Sequence, residues 1–265
     1  MPRVTSKDGT QIAYETMGSG PALILVDGAM CFRDSGPSRP LAEVLKDSFT
    51  VHIYDRRGRG ESGDTQPYAV EREIEDLSAI LEAAGGSAYV YGCSSGGALG
   101  LGMANAYAGV RKLIVYEAPF IVDSSRDPLP SDAASTTHAL VAEGRRDEAV
   151  KRFMKFVQVP AFGVFMMRVM MGKVWRKLTG IAHTLPYDYE IVGPYQQGKP
   201  LPAGEWRGIK VPALIADGGK SPAWMRNSQR ALAKHLGAEY RTLDGQTHIV
   251  NAAAHAPMIK EFFRE

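Results

Sequence analysis

Residues 92–96 read Gly-Cys-Ser-Ser-Gly, a Gly-x-Ser-x-Gly pattern between an apolar run at 88–91 and a helix-forming stretch at 98–108. A chain that passes from strand to helix within so few residues crowds its own backbone, and glycines at 92 and 96 tolerate a closeness that any side chain would obstruct. The pattern predicts a nucleophile elbow, a tight turn that lifts the Ser94 hydroxyl above the sheet. That places a strand, then a helix, at the centre of the fold.

The same alternation runs along the chain. Residues 4–6 and 11–16 flank Asp8-Gly9, a pair suited to closing an antiparallel hairpin. Continuous apolar runs at 22–26, 50–54 and 113–116 fit the interior of a mostly parallel sheet, where both faces are covered. Val70, Ile74, Leu77 and Leu81 recur at helical spacing until Gly85-Gly86 stops them. Strand character is absent from 120 to about 208, resumes at 211–216, and is followed by helix at 222–236, strand at 239–243 and helix at 252–263. This order predicts an α/β doubly wound sheet. Residues 1–119 and 209–265 form its core domain, and 120–208 form a helical cap inserted after the strand that follows the elbow helix. With 265 residues, 45% of them hydrophobic, the chain can bury one such core.

Charge excludes several partners. A net charge of +2, with Arg56, Arg57 and Arg59 set among Asp55, Glu61 and Asp64, gives no nucleic-acid footprint, and the arginine cluster reads as a turn. No run approaches the roughly 20 apolar residues of a membrane span. The polar N-terminus and two cysteines read as free thiols, Cys31 and Cys93, point to a cytoplasmic protein.

A serine hydroxyl needs a base that takes its proton and returns it to the leaving group. Of six histidines, His248 is placed for that role, in the loop after the last strand. His255, seven residues on, reads as a solvated helix residue. The acid is less regular: Ser221 stands where this arrangement usually has Asp, Asp217 comes early at a strand end, and Glu117 sits at the tip of the strand after the elbow. Glu117 is preferred, with Asp217 as the alternative acid. Oxyanion stabilisation needs two backbone N–H donors, expected from Ser95 and from the Gly28/Ala29 turn. Asp27, beside that turn, is expected to face away and bond loop backbone.

The chain resembles the α/β-hydrolase superfamily over nearly its full length. Within it, Val26-Asp27-Gly28-Ala29, Gly92-Cys93-Ser94-Ser95-Gly96 and Tyr116-Glu117-Ala118-Pro119 look like the motifs of the zearalenone-type lactone hydrolases, which open a resorcylic macrolactone. That resemblance implies Glu117 as the triad acid. It implies a cofactor-free serine hydrolase, without a metal, that acts on a small apolar ester or lactone. A carboxylesterase, a carbon-carbon bond hydrolase or a non-catalytic ligand receptor of the same fold are the alternatives. In the cap, Met154, Met166, Met167, Met170 and Met171 crowd together with several phenylalanines, a composition suited to a bulky apolar ligand. Trp175, Tyr187 and Tyr189 are the expected substrate contacts, each combining a packing surface with a polar handle.

Overall fold

The computed structural model describes residues 1–264. The chain opens with the expected hairpin, Arg3–Thr5 (β1) and Gln11–Met17 (β2). Gly9 at φ +87° supplies the turn's left-handed residue, and Thr10 N–H donates to Asp8 Oδ1 at 3.0 Å. Ala22–Val26 (β3), Thr50–Tyr54 (β4), Ala88–Cys93 (β5), Val110–Tyr116 (β6), Ala213–Gly218 (β7) and Glu239–Leu243 (β8) complete one eight-stranded sheet. The order is β1-β2-β4-β3-β5-β6-β7-β8, parallel from β4 onward, with β2 antiparallel to both its neighbours. β6 starts at Val110, earlier than its apolar run. Its first residues hide from hydropathy because Arg111 lies over the Tyr89 ring at 4.7 Å and Lys112 Nζ donates to the Phe262 carbonyl.

Alternate residues of each parallel strand face opposite helical layers. Ile24, Val90, Val115 and Ile215 pack against Val70–Ala83 (α2), Ser95–Ala106 (α3) and Ala223–Leu236 (α9), through residues such as Leu77, Leu99 and Leu232. Leu23, Leu25, Tyr89 and Ile114 pack against Ser38–Leu45 (α1) and Ala252–Phe263 (α10), through Leu41, Leu45, Ile259 and Phe263. Each of these aliphatic or aromatic side chains contributes about 1.5–3 kcal/mol by leaving water. That double covering holds the C-terminal ends of the parallel strands in a fixed row, where their loops form the site.

Between β6 and β7 lie five helices, Ala133–Ala142 (α4), Arg146–Phe156 (α5), Ala161–Met170 (α6), Gly172–Gly180 (α7) and Leu185–Val192 (α8), with two short 3₁₀ turns. α8 packs on α2 and α3, tying this helical segment to the sheet layer beneath. Among the described residues no helix is long and apolar enough to cross a membrane.

Candidate functional site

Ser94 follows β5 directly, at φ +55° and ψ −130°, a strained conformation for a residue with a side chain. Its neighbours explain why the turn persists. A Cβ on Gly92 would come within 2.4 Å of the Gly96 carbonyl oxygen, and one on Gly96 within 2.2 Å of the Val26 carbonyl oxygen. Ser94 N–H donates to the Tyr116 carbonyl of β6 at 2.9 Å, and Gly97 N–H donates to the Ser94 carbonyl at 2.9 Å. The elbow is thus clamped between two strands and the first turn of α3.

Glu117 follows β6 directly and is fully buried. Its Oε1 accepts from Gly218 N–H at 2.8 Å, and its Oε2 lies 2.9 Å from His248 Nδ1. A carboxylate on Nδ1 favours the tautomer that carries its proton there and leaves Nε2 free. The loop that bears His248 is fastened below by Tyr116 Oη, which donates to the Thr247 carbonyl at 2.6 Å, and by Lys220 N–H on the Gln246 carbonyl at 2.8 Å. The His248 side chain is 45% exposed. Ser94 and His248 line one cavity, and among the described residues Ser94 Oγ has no hydrogen-bond partner. Such alignments commonly tighten only once substrate is bound.

Asp217 is turned elsewhere: its Oδ2 accepts from Tyr240 Oη at 2.6 Å, and burial raises its pKa. His255 departs from the expected solvated residue. It is buried against the central strands β5 and β6, its Nδ1 2.9 Å from Tyr91 Oη and its ring 4.3 Å from that of Tyr116, and burial holds its pKa down at about 4. The helix carrying it presses on the sheet, so its inward face is core. Asp27 accepts from the Ser38 hydroxyl of α1 at 2.6 Å rather than mainly from its own loop, and burial pushes it up to about 6.

The Gly28 turn lies directly against the elbow, since a Cβ on Gly28 would stand 2.7 Å from Ser94 Cβ. Arg59 Nη1 donates to the Gly28 carbonyl at 2.7 Å and to the Cys31 carbonyl at 3.2 Å. A peptide unit is planar and trans, so a fixed Gly28 carbonyl aims the Ala29 N–H the opposite way. Ala29 and Ser95 both line the cavity.

The arginine cluster forms a turn in its backbone, but its side chains are among the most deeply buried in the protein. Arg56 makes paired 2.7 Å bonds to Glu73, and Arg57 bonds Asp76 at 2.7 and 2.8 Å and Asp8 at 2.9 Å. Asp188, on α8, accepts from Arg56 at 2.9 Å, Arg59 at 2.7 Å and the Ser95 hydroxyl at 2.7 Å. Opposite charge outweighs desolvation there and keeps the Asp188 pKa low. No sequence pattern marks this pairing, because Asp188 stands 129 residues from Arg59.

The cavity walls are mainly apolar, supplied by Phe153, Phe156, Val157, Tyr189, Val192 and Met225, with Arg126, Gln196 and Trp224 among the polar linings. Of the expected contacts only Tyr189 is among them. Trp175 instead donates to Asp147 at 2.7 Å, and Tyr187 stacks on Tyr68 at 3.8 Å while bonding Asp64. The five crowded methionines lie outside the lining, with Met170 and Met171 exposed. Trp224 and Met225 open α9 beside the β7 loop, a position at the strand ends that could have nominated them. Arg126 lies in an irregular stretch with no periodicity to mark it. The chamber holds roughly 160 Å³ and shares Arg126, Phe156, Gln158, Tyr189 and Trp224 with an outer vestibule of roughly 580 Å³.

Comparison with known proteins agrees with the fold. The profile of the alpha/beta hydrolase family matches residues 21–262. The crystal structure of an alpha/beta hydrolase from Sphaerobacter thermophilus DSM 20745 is similar at a TM-score of 0.90 and 47% identity, covering 99% of this chain and 100% of that one. The enol-lactonase from Burkholderia xenovorans LB400 shares the fold at a TM-score of 0.72 and 22% identity, with 100% of each chain covered. Among curated proteins, the uncharacterized hydrolase YraK of Bacillus subtilis (strain 168) is 36% identical over 97 residues, a segment that spans only 35% of this chain and 35% of that protein.

Proposed function

This chain belongs to the alpha/beta hydrolase family, and from that premise we propose that it is a cofactor-free serine hydrolase of apolar esters or lactones, with Ser94, His248 and Glu117 as its triad. The observation that carries the reading is the buried Glu117 carboxylate, held by Gly218 N–H and 2.9 Å from His248 Nδ1, beside a cavity that Ser94 also lines.

Ser94 Oγ attacks the ester carbonyl as His248 Nε2 takes its proton. The carbonyl electrons move onto oxygen, where the N–H groups of Ser95 and of the Gly28/Ala29 turn hold the charge. Collapse breaks the carbon–oxygen bond, and imidazolium returns the proton to the leaving alkoxide. Glu117 holds the imidazole's orientation and offsets the imidazolium charge. Water, deprotonated by His248, then splits the acyl-enzyme and restores the serine. In a lactone both products stay in one molecule.

The lactone form, and zearalenone in particular, rest on the resemblance of the three motifs. The inner chamber of roughly 160 Å³ falls below the about 300–1,000 Å³ usual for ligand pockets, which favours a compact ester or a substrate that also fills the vestibule. Mass spectrometry after incubation of the protein and of Ser94→Ala with zearalenone and with a short-chain aryl ester separates the cases. A product one water heavier than zearalenone, formed by the native protein alone, supports the macrolactone. Turnover of the aryl ester only, again lost in Ser94→Ala, supports a smaller substrate, and turnover of neither removes the hydrolase reading.

A further inference from the structure

We propose that the cavity contains a carboxylate subsite built on Arg126, so that the substrate is an ester or lactone that also carries an acid group. As a statement about substrate it rests on the hydrolase reading above, whereas as a binding site it stands alone.

Among the described residues, Arg126 is the one arginine or lysine that lines the chamber shared by Ser94 and His248. Its guanidinium lies between two aromatic faces, 4.2 Å from the Trp224 ring centroid and 4.7 Å from that of Phe156, and it donates to the Phe156 carbonyl. Stacking of this kind fixes a planar guanidinium while leaving its edge N–H groups available. Among the described residues no carboxylate lies within ion-pair distance of it. Burial holds its pKa below the ordinary arginine value, opposed only by the charge of Asp127.

The contrast with the neighbouring arginines is direct. Arg56, Arg57 and Arg59 are each matched by carboxylates. The one carboxylate lining the chamber among the described residues, Asp188, already accepts from Arg56, Arg59 and Ser95. Half-buried Arg126 therefore has no carboxylate in contact with it at the mouth of a mainly apolar chamber, an arrangement characteristic of sites that take a charged ligand.

A second donor accompanies it. The indole Nε1 of Trp224 is buried and has no acceptor among the described residues. The guanidinium edge offers paired N–H groups to the two oxygens of a planar carboxylate, with the indole as a neighbouring donor. Arg126 also stands where the chamber meets the vestibule, whose lining adds Lys155, Asp127 and an Arg152 already paired with Asp132, so among the described residues the cations there outnumber the one carboxylate.

The test compares two esters of matched length, 4-nitrophenyl pentanoate and the mono-4-nitrophenyl ester of glutaric acid, in the native protein, Arg126→Lys and Arg126→Gln. The native protein is expected to favour the acid ester. The acid-to-neutral ratio of kcat/KM should fall about 10- to 100-fold in Arg126→Gln, mostly through KM, with Arg126→Lys in between. A ratio that Arg126→Gln leaves unchanged overturns the subsite. Calorimetric binding of 4-phenylbutyrate against 4-phenylbutanamide reads the same site without turnover. Tighter binding of the acid, lost in Arg126→Gln, upholds the subsite even if no ester is cleaved, in which case the hydrolase reading alone fails. Equal binding of acid and amide overturns it.

Discussion

Glu117 and Asp217 stand at the ends of adjacent parallel strands, and their side chains meet different partners. Glu117 bonds the imidazole of His248, whereas Asp217 bonds the phenol of Tyr240. Glu117→Gln keeps the shape but removes the charge that balances imidazolium and presents an amide where Gly218 N–H now donates. In the proposed mechanism it lowers kcat by about 10³- to 10⁴-fold with a small change in KM. Asp217→Asn should change kcat less than about tenfold, because its carboxylate bonds a surface-side tyrosine away from the imidazole. Steady-state kinetics on any ester the protein turns over decide the matter, and the opposite ranking would remove Glu117 from the triad. Residue identity alone had left both acids open. The preference came from strand-tip position and motif, while the bonds that distinguish them join residues 131 and 23 apart.

At the scale of elements, α8 contributes most where the sequence was least legible. Strands such as β3 and β4 could be read directly, because burial on both faces demands unbroken apolar runs. The helices between β6 and β7 could be foreseen only as a group, since their boundaries follow from packing on one another and on the sheet. Asp188 is the clearest case. Carried by α8, it accepts from Ser95 at the start of α3 and from the arginines of the turn after β4, one of which holds the Gly28 carbonyl. The helical segment thus braces both proposed oxyanion donors through a single carboxylate. Asp188→Asn leaves the buried Arg59 guanidinium without its carboxylate and Arg56 with Glu73 alone, and is expected to cost about 3–5 kcal/mol. In a chain of this length that lowers Tm by roughly 10 °C. Because Arg59, which holds the Gly28 carbonyl, loses the carboxylate that fixes it, kcat should fall more than KM rises. An Asp188→Asn protein with native Tm and native kcat would show that α8 packs on the site without bracing it.

For the whole molecule, stability against pH depends on buried groups that pull in opposite directions. His255 is held neutral by burial, with the charge of Glu117 opposing, and its folded pKa is about 4 against roughly 6.5 in an unfolded chain. Between those values the unfolded state binds more protons, so His255 makes the fold less stable as pH falls from about 6.5 to 4. Asp27 and Asp76 behave oppositely: burial raises both to about 6, so in the window from about 4 to 6 the folded state binds more protons and stability is lost as pH rises. Asp8, lowered to about 2 against burial by Thr10 and Arg57, adds stability that is lost only below about pH 4. Opposed contributions flatten the native profile and conceal each group, so variants are needed to separate them. The Tyr91 bond can be kept by an amide, which makes His255→Gln the informative change. Urea unfolding at pH 7.5 and 4.5 should show the native protein's advantage over His255→Gln shrinking by about 2–3 kcal/mol on acidification, since each pKa unit of difference is worth about 1.4 kcal/mol. Asp27→Asn should move the other way, the native protein gaining on its variant as pH falls, because only the carboxylate can take up the proton that relieves its burial. Parallel profiles for native and His255→Gln proteins would mean that His255 does not titrate in this range, and the acid limb would then have to come from the ion pairs of Asp8 and Asp188.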